Sequence, residues 1–357
     1  MSKLPQADLE HILERTRDLW EGLRGERLFL TGGTGFFGCW LLESLLWAND
    51  RLKLGSQVVV LTRDAERFAR KAPHIAAHAA VRLHLGDVRV FACPPGRFSH
   101  IVHAATDASA KLNEQSPGIM FDTIVAGTRR VLDFAATCGV RKLLLASSGA
   151  IYGKQPPDIS RLPEDFSGAP DPLALHSAYG EGKRVAEMLC AQYGRQFGFD
   201  ALIARCFAFV GPHLPLDEHF AVGNFMRDAM AGRPISIHGD GTPLRSYMYA
   251  ADLAIWLWTI LFKAPSGRAY NVGSDHAVSI LDTAHAVAEA VANPVAVRVA
   301  KTPDPAQKPA RYVPSIDRAR GELGLELTIP FAVALRRTIA WHHQQFANVE
   351  TTLPRAG

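Results

Sequence analysis

The chain has 357 residues, 48% of them hydrophobic, which is enough to bury the core of one large unit or two ordinary domains and excludes global disorder. The formal net charge of +4 is small beside 39 basic and 35 acidic side chains. These charges are scattered along the chain, so we expect an anionic small molecule rather than nucleic acid as a partner. The longest uncharged apolar run, Ala254 to Phe262, is too short to cross a membrane. The polar start of the chain does not resemble a secretory signal, so we expect a cytoplasmic protein without a membrane partner.

The cysteines are odd in number, widely spaced and never arranged as a C-x-x-C pair. This pattern predicts buried free thiols rather than a disulfide framework or a zinc site. The five are Cys39, Cys93, Cys138, Cys190 and Cys206.

The first predicted element is an amphipathic helix within residues 1–24, because apolar residues recur at helical spacing from Leu9 to Leu23. From Arg27 onward, short apolar runs alternate with helical stretches, which is typical of a doubly wound α/β fold with a parallel sheet. The runs are RLFLTG, QVVVLTR, VRLHLGD, HIVHAA and KLLLASS. After Ala204, prolines interrupt this pattern until a helical segment near Leu281, which favours a smaller substrate-binding lobe.

A glycine-rich turn, TGGTGFFG at residues 31–38, joins the first predicted strand to the next helix. Glycines at such a turn let backbone N–H groups and the helix N-terminus reach a pyrophosphate, since a Cβ atom there would hold the ligand away. A purely structural tight turn is the alternative. The candidate cofactor-binding residues of this turn are Gly32, Gly35, Phe36, Phe37 and Gly38.

The G-x-x-G-x-x-G spacing and the motifs that follow it resemble the extended short-chain dehydrogenase/reductase family, the NAD(P)-dependent nucleotide-sugar epimerases and dehydratases. The resemblance covers about residues 25–342. Its motifs are Gly86-Asp87-Val88, His103-Ala104-Ala105, SSGAIYG at 147–153, YGEGK at 179–183, RCFAFVGP at 205–212, GDGTPLR at 239–245, Ala251-Asp252-Leu253 and Tyr270-Asn271-Val272-Gly273.

The resemblance implies a Rossmann dinucleotide-binding domain at residues 25–205, to which residues 247–272 return. It implies a smaller α/β substrate-binding lobe at residues 206–246 and 273–345, followed by a tail at 346–357. It also implies a homodimer formed through the two helices that carry RRVLDFAATCG and YGEGKRVAEMLCAQYG.

The resemblance further implies which side chains carry the chemistry. Tyr179 is the expected acid or base, Lys183 the residue that holds the nicotinamide ribose, and Ser148 the hydroxyl that bonds the reacting sugar oxygen. Four residues apart on a helix, Tyr179 and Lys183 share one face, and a nearby ammonium is expected to lower the pKa of the phenol. The expected adenine contact is Asp87 with Val88, and the residues expected to line the cofactor are Ala104 and Ala105.

Several positions depart from the family pattern. Ile124 and Ala208 stand where many members have asparagines, which affects the expected placement of water and diphosphate. Gly149 and Ala150 follow Ser148 where the dehydratases have Asp-Glu and the decarboxylases keep a glutamate at the second place. Neither residue can carry a proton, so the sequence argues against both of these reactions.

Arg245 is the predicted ligand of the substrate diphosphate, because a guanidinium suits phosphate oxygens, with an interlobe salt bridge as the alternative. Arg311 is a second candidate for the same anion. His213 is a further substrate-binding candidate. With Asp217, Glu218 and His219 it lies in a loop that we expect to be solvated or to face the substrate rather than to bind a metal.

The end of the second predicted strand bears on the cofactor. An acidic residue there binds the ribose hydroxyls of NAD, whereas an arginine accommodates the 2′-phosphate of NADP. Thr62 and Arg63 occupy this end, which favours NADP, and NAD stays open because Asp64 could turn back to the ribose.

Together these observations predict an enzyme that transfers hydride at C4 of a nucleoside-diphosphate sugar, as a C4 epimerase or a 4-keto reductase. The alternatives are a 4,6-dehydratase, which Gly149 and Ala150 disfavour, a reductase of a non-nucleotide carbonyl, and a non-catalytic cofactor-binding relative. The intact Tyr179 and Lys183 pair argues against the last of these.

Overall fold

The computed structural model describes residues 3–106, 110–217 and 220–352, except for the side chains of residues 110, 111 and 346–352. The elements of the first half are α1 (Gln6–Thr16), β1 (Arg27–Thr31), α2 (Phe36–Leu52), β2 (Gln57–Thr62), α3 (Ala65–Lys71), α4 (Pro73–Ala76), β3 (Val81–Leu85), β4 (His100–His103), α5 (Ala110–Gln115), α6 (Pro117–Cys138) and β5 (Lys142–Ser148). The elements of the second half are α7 (Ala178–Phe197), β6 (Asp200–Cys206), β7 (Phe209–Val210), α8 (Ala221–Met230), β8 (Ile235–Ile237), β9 (Leu244–Arg245), β10 (Met248–Tyr249), α9 (Ala250–Lys263), β11 (Ala269–Val272), β12 (Val278–Ser279), α10 (Ile280–Ala290), β13 (Val297–Val299), β14 (Arg311–Tyr312), α11 (Asp317–Leu323) and α12 (Phe331–Thr352).

The central sheet has seven parallel strands in the order β3-β2-β1-β4-β5-β6-β11. Strands such as β1, β2 and β5 are apolar and buried almost throughout, as expected where helices cover both faces of a parallel sheet. Strand order reverses between β1 and β4, and ligands of such sheets bind in the crevice at the carboxyl ends of the strands beside this point. The predicted doubly wound α/β fold is confirmed.

The N-terminal segment packs on the body of the protein through α9 and α2. The α-helix ends at Thr16, whose hydroxyl donates to the Ile12 carbonyl and accepts from Trp20 Nε1, and residues 17–23 continue as a 3-10 helix. The buried carboxylate of Asp8 accepts hydrogen bonds from the Tyr249 hydroxyl at 2.5 Å and from Arg337 at 2.6 Å. These bonds connect α1 to the start of α9 and to α12.

Apart from β11, the described strands after β6 form three smaller sheets. In one of them, β9 pairs with β12 and β14, and in another β8 pairs with β13. The helix α10 begins with a capping box in which Ser279 and Asp282 satisfy each other's backbone N–H groups. Among the described residues, no helix is both long and apolar enough to cross a membrane.

All five cysteines are free thiols, as predicted. Cys39, Cys138, Cys190 and Cys206 are buried, whereas Cys93 is exposed, so the prediction of burial was wrong for Cys93. It follows β3 in the irregular segment that leads to β4, where neither sheet nor helix covers it.

Candidate active site

The glycine-rich turn lies at the carboxyl end of β1, where backbone atoms of neighbouring segments meet. Gly32 has φ +77°, and a Cβ atom there would lie 2.5 Å from the Ala104 carbonyl oxygen. A Cβ at Gly38 would lie 2.3 Å from the Gly32 carbonyl oxygen, so both positions require glycine. Gly35 is exposed at the N-cap of α2 without a side-chain cap, which leaves N–H groups of the first helical turn open to a pyrophosphate.

The other residues predicted to bind the cofactor lie around this turn. Phe36 and Phe37 begin α2 half-buried, and the Phe37 ring packs edge-on against Phe209. Ala104 and Ala105 follow β4, and the Ala105 N–H donates to the Thr31 hydroxyl. This backbone therefore suits the turn to a dinucleotide held across the ends of β1 and β4.

Asp87 and Val88, which were predicted to meet the adenine, follow β3 at the other end of this crevice. Both carboxylate oxygens of Asp87 accept from the Arg89 guanidinium at 2.9 Å, which lowers the pKa of Asp87 to about 2. Val88 is buried against Gly127 of α6. Asp87 is thus charged near neutral pH, with its oxygens already paired within the protein.

The carboxyl end of β2 carries the exposed guanidinium of Arg63 and the carboxylate of Asp64, which already accepts a hydrogen bond within the protein. Arg63 is exposed beside Asp87 and contributes to lowering the pKa of that carboxyl. Asp64 is the N-cap of α3, where its Oδ1 accepts from the Arg67 N–H at 2.7 Å. The Thr62 hydroxyl donates to the Asp64 carbonyl.

Ser148, Tyr179 and Lys183 come together at the carboxyl end of β5. Lys183 Nζ donates to the Ala146 carbonyl at 2.7 Å and to the Thr106 hydroxyl at 2.8 Å. It lies 5.8 Å from the centre of the Tyr179 ring. Tyr179 is close enough to Ser148 for that hydroxyl to favour its phenolate. The N-terminus of α7 is held by Asn113, which accepts from the Tyr179 N–H.

The ionisation of the pair differs from the prediction. Burial raises the pKa of Tyr179 to about 12, and the Ser148 hydroxyl offsets this rise in part. Burial also lowers the pKa of Lys183 to about 8. The expectation that the Lys183 ammonium lowers the pKa of the Tyr179 phenol was therefore wrong. Burial of the phenol raises its pKa by more than the ammonium could lower it, because the ammonium donates its hydrogen bonds to Ala146 and Thr106 instead.

Tyr312 is a residue of this site that the sequence did not reveal. It lies on β14, paired with Arg245 of β9, and its ring packs on Phe207 with centroids 4.7 Å apart. Its hydroxyl faces Ser148 and Gly149. No local motif surrounds Tyr312, and only the pairing of two short, distant strands brings it to β5.

Arg245 lies beside Tyr312, with which it pairs between β9 and β14, and its charge acts to lower the pKa of the Tyr312 phenol. Its guanidinium is half-buried and donates to the Leu244 carbonyl of its own strand at 2.9 Å. Arg311 is also half-buried and pairs with Leu244. The geometry thus places Arg245 beside the cleft and Arg311 on the adjoining strand.

His213 is not brought to this cleft. Its side chain is buried, 3.7 Å from the Glu43 carboxylate and packed edge-on against Trp341, so the expectation of a solvated or substrate-facing residue was wrong for it. The cause is α12, whose Trp341 packs on the His213 ring. Asp217 is exposed, whereas Glu218 and His219 lie outside the described residues. No cluster of three or more His, Cys, Asp or Glu in the described chain could hold a metal ion.

Apolar packing explains one departure from the family pattern. Ile124 of α6 is buried, and a Cβ on Gly182 of α7 would lie 3.2 Å from it. The two helices therefore meet through an isoleucine opposite a glycine, immediately before Lys183. Ala208 is half-buried against the main core.

Comparisons with known proteins agree with this geometry. A family model described as "NAD dependent epimerase/dehydratase family" matches residues 28–273. UDP-glucuronic acid decarboxylase 3 of Arabidopsis thaliana is 30% identical over 305 residues, which are 84% of this chain and 84% of the relative. UDP-glucuronic acid decarboxylase 1 of Danio rerio is 29% identical over 322 residues, 90% of this chain and 73% of the relative. Among solved structures, UDP-glucose 4-epimerase of Thermus thermophilus in complex with NAD has a TM-score of 0.72 and 25% identity, covering 89% of this chain and 99% of that one.

Proposed function

Because the chain belongs to the NAD dependent epimerase/dehydratase family, we propose that it transfers hydride at C4 of a nucleoside-diphosphate sugar, as a C4 epimerase or a 4-keto reductase. The observation that carries this proposal is the convergence of Ser148, Tyr179 and Lys183 at the carboxyl end of β5, beside the glycine-rich turn. Enzymes of this kind modify nucleotide sugars with a nicotinamide cofactor, and the residues present fit that role.

The cofactor, when bound, supplies the acceptor for the C4 hydride and a positive charge in its oxidised form. Tyr179 takes the proton of the C4 hydroxyl as the C–H bond breaks and the carbonyl forms, so the sugar loses one hydride and one proton. Ser148 donates to the same sugar oxygen. Lys183, fixed by Ala146 and Thr106, holds the nicotinamide ribose. An epimerase would need the 4-keto sugar to present its opposite face before Tyr179 gives the proton back to the C4 oxygen.

Dehydration and decarboxylation are disfavoured by the two residues after Ser148. Dehydration across C5 and C6 needs a further acid and base, and neither Gly149 nor Ala150 can hold a proton. The space above Gly149 is filled by Tyr312 and Phe207, because a Cβ there would lie 2.7 Å from the Tyr312 hydroxyl. A carboxylate at residue 149 could not be accommodated without moving these rings.

The decarboxylase reaction is the second candidate, since curated relatives at 29–30% identity are named UDP-glucuronic acid decarboxylases. Oxidation of a glucuronate at C4 produces a β-keto acid, so the two reactions share their first step. The test is a panel of UDP-, dTDP-, GDP- and CDP-hexoses, 4-keto sugars and UDP-glucuronate, with products read by mass and NMR. We expect a C4 epimer or a reduced 4-keto sugar, and release of CO2 or loss of water would favour the other reactions.

NADP is the cofactor that the end of β2 supports. Arg63 is exposed there, Thr62 replaces a carboxylate, and Asp64 already caps α3. An arginine accommodates the 2′-phosphate, whereas NAD enzymes place a carboxylate at this position. NAD remains the alternative because Thermus thermophilus UDP-glucose 4-epimerase, a structural neighbour, holds NAD.

The substrate diphosphate is assigned to Arg245, which is half-buried beside the cleft and forms no ion pair of standard geometry among the described residues. Arg245→Ala should weaken binding of free UDP or of the substrate by about 1.5–3 kcal/mol, the usual range for a hydrogen bond to a charged group. Calorimetric titration measures this, and an unchanged dissociation constant would leave Arg245 as a structural residue.

A homodimer through α6 and α7 is the proposed assembly. These helices pack side by side and present exposed apolar side chains, among them Ile119, Met188 and Phe197. Apolar residues exposed on adjacent helices favour a protein interface. Light scattering at micromolar concentration should give twice the mass of the chain. Met188→Glu should lower the measured mass towards that of the monomer.

A further inference from the structure

Tyr312 reaches the active site from the edge of the substrate lobe. Its strand is fixed by parallel pairing with β9 and by Val313, whose N–H donates to Gln155 Oε1 and whose carbonyl accepts from the Leu162 N–H, each at 2.9 Å. The Tyr312 ring packs on Phe207. These contacts leave the phenol little freedom other than rotation of its hydroxyl.

The residue after Ser148 is small enough for this arrangement. A Cβ at Gly149 would lie 2.6 Å from Phe207 Cζ and 2.7 Å from the Tyr312 hydroxyl, closer than real Cβ atoms approach. Glycine at this position therefore allows the Tyr312 hydroxyl to approach the hydroxyl of Ser148. Two phenols, those of Tyr179 and Tyr312, thus face one serine.

The serine hydroxyl has one proton to donate and two lone pairs to accept with. Ser148 Oγ already accepts from the Ala150 N–H at 3.1 Å. A bond donated by Tyr312 would occupy the second lone pair, so the Ser148 proton would have to point to the remaining neighbour, the oxygen of Tyr179. Both phenol contacts are looser than standard hydrogen bonds, and catalytic hydrogen bonds commonly tighten when substrate binds.

We propose that Tyr312 is a positioning residue that donates to Ser148 and thereby, before the sugar binds, makes Ser148 a hydrogen-bond donor to the Tyr179 oxygen. Once the sugar is in place, the same Ser148 proton turns to the sugar oxygen. A donor held against that oxygen stabilises the phenolate, which is the form of Tyr179 that accepts the substrate proton. This inference rests on the proposed function, because it assigns how the same site obtains its base.

The charges around the two phenols are consistent with different roles. Burial raises the pKa of Tyr312, and the neighbouring Tyr179 raises it further, whereas Ser148 and Arg245 lower it. Tyr179 is influenced by burial, Ser148 and Cys206. Once Tyr179 is ionised, its charge opposes ionisation of Tyr312, so Tyr312 keeps the proton that it donates.

The test is a titration of tyrosinate absorbance in the protein saturated with NAD⁺ or NADP⁺, whichever binds, without sugar. The chain has seven tyrosines, and the pKa values of the six besides Tyr179 all lie above the ordinary value of 10. A phenolate that forms near neutral pH in the holoenzyme and is absent from Tyr179→Phe therefore belongs to Tyr179.

Tyr312→Phe keeps the ring on Phe207 and removes only the hydroxyl. We expect it to raise the Tyr179 midpoint by about one pH unit, the equivalent of one lost hydrogen bond to a charged group, with cofactor affinity unchanged. The matched control is Tyr247→Phe, which removes another buried phenol, one that stacks on Phe331, and should leave the midpoint unchanged.

A double-mutant cycle shows whether Tyr312 changes the Tyr179 midpoint through Ser148 or independently of it. In a Ser148→Ala background, Tyr312→Phe should produce no further shift. Equal shifts in the presence and absence of Ser148, or an unshifted midpoint in Tyr312→Phe, would overturn the proposal. If no sugar nucleotide is converted but the cycle behaves as expected, the proposed function fails while this inference stands.

Discussion

Tyr179, the proposed base, lies in surroundings that oppose its ionisation. Burial raises its pKa to about 12, and the ammonium of Lys183 bonds Ala146 and Thr106 rather than the phenol. In the proposed mechanism, the positive charge of an oxidised nicotinamide and the donor from Ser148 would favour the phenolate. The base is thus expected to become effective only in the holoenzyme.

Tyr179→Phe should lower kcat by about 10²–10⁴, the usual contribution of a positioned acid or base, while melting temperature and cofactor affinity stay near the wild-type values. Steady-state kinetics, thermal unfolding and cofactor titration measure the three quantities. Tyr193→Phe is the control, because it removes a phenol of the same helix whose hydroxyl donates to the exposed Asp133. Lys183→Met should reduce both rate and cofactor affinity. A wild-type rate in Tyr179→Phe would contradict the assignment.

Arg63→Ala should weaken binding of NADP(H) much more than binding of NAD(H), because the guanidinium is proposed to meet only the 2′-phosphate. Fluorescence titration with both reduced cofactors measures the ratio of the two losses. Arg67→Ala, an exposed arginine of α3 one turn away, is the control. Equal losses for both cofactors in Arg63→Ala would make NAD the better assignment.

Individual site residues differ in how far sequence predicts them. Tyr179 and Lys183 were predictable because both lie on one helix at a fixed spacing after the motif of β5. Tyr312 was not, since it reaches Ser148 only through pairing of β14 with β9. His213 was misjudged because its burial depends on Trp341, more than a hundred residues away.

Among the elements, the buried parallel strands were predictable because their apolar runs are short and because glycine and proline residues between the runs mark where each strand ends. The two-residue strands β9, β12 and β14 were not, since so few residues carry no periodicity. The N-terminal helix was predicted in position, but its last turns are 3-10, where Thr16 bonds back to the Ile12 carbonyl.

The attachment of α1 depends on a buried carboxylate. Asp8→Asn removes the charge that Arg337 and the Tyr249 hydroxyl share, and should lower the free energy of unfolding by about 1–3 kcal/mol. Glu10→Gln on the same helix removes a partly exposed ion pair with Arg51, leaves an acceptor for the Trp47 Nε1 hydrogen bond, and should cost less than about 1 kcal/mol. Urea unfolding compares them, and equal effects would mean that the Asp8 contacts contribute no more than a surface pair.

For the whole molecule, we expect buried neutral histidines to control how the free energy of unfolding changes at acidic pH. Burial lowers the pKa of His100 and His342 to about 4 and that of His103 to about 3, below the ordinary value of 6.5. The unfolded chain therefore binds more protons below pH 6.5, and stability should fall as the pH drops from 6.5 towards 4. Asp8, Glu164 and Asp252, whose pKa values burial raises, act in the opposite direction.

Urea unfolding between pH 7.5 and 4.5 measures this dependence. Each such histidine contributes up to about 1.4 kcal/mol per pH unit within its window. His100→Gln should make the free energy of unfolding less dependent on pH between 6.5 and 4, because it removes one titrating histidine from both the folded and the unfolded state. An equally steep dependence on pH in the variant and the wild type would show that His100 is not buried in its neutral form.

The central claim is that Tyr179 and a nicotinamide cofactor move a hydride at C4. The most direct measurement follows deuterium placed at C4 of each nucleoside-diphosphate hexose of the panel, in the presence of NAD⁺ or NADP⁺, by NMR. We predict that deuterium appears at C4 of the epimer or on the nicotinamide ring, and that Tyr179→Phe slows this transfer by about 10²–10⁴. Conversion of a sugar nucleotide in which C4 keeps both its deuterium and its configuration, or transfer undiminished in Tyr179→Phe, would contradict the account.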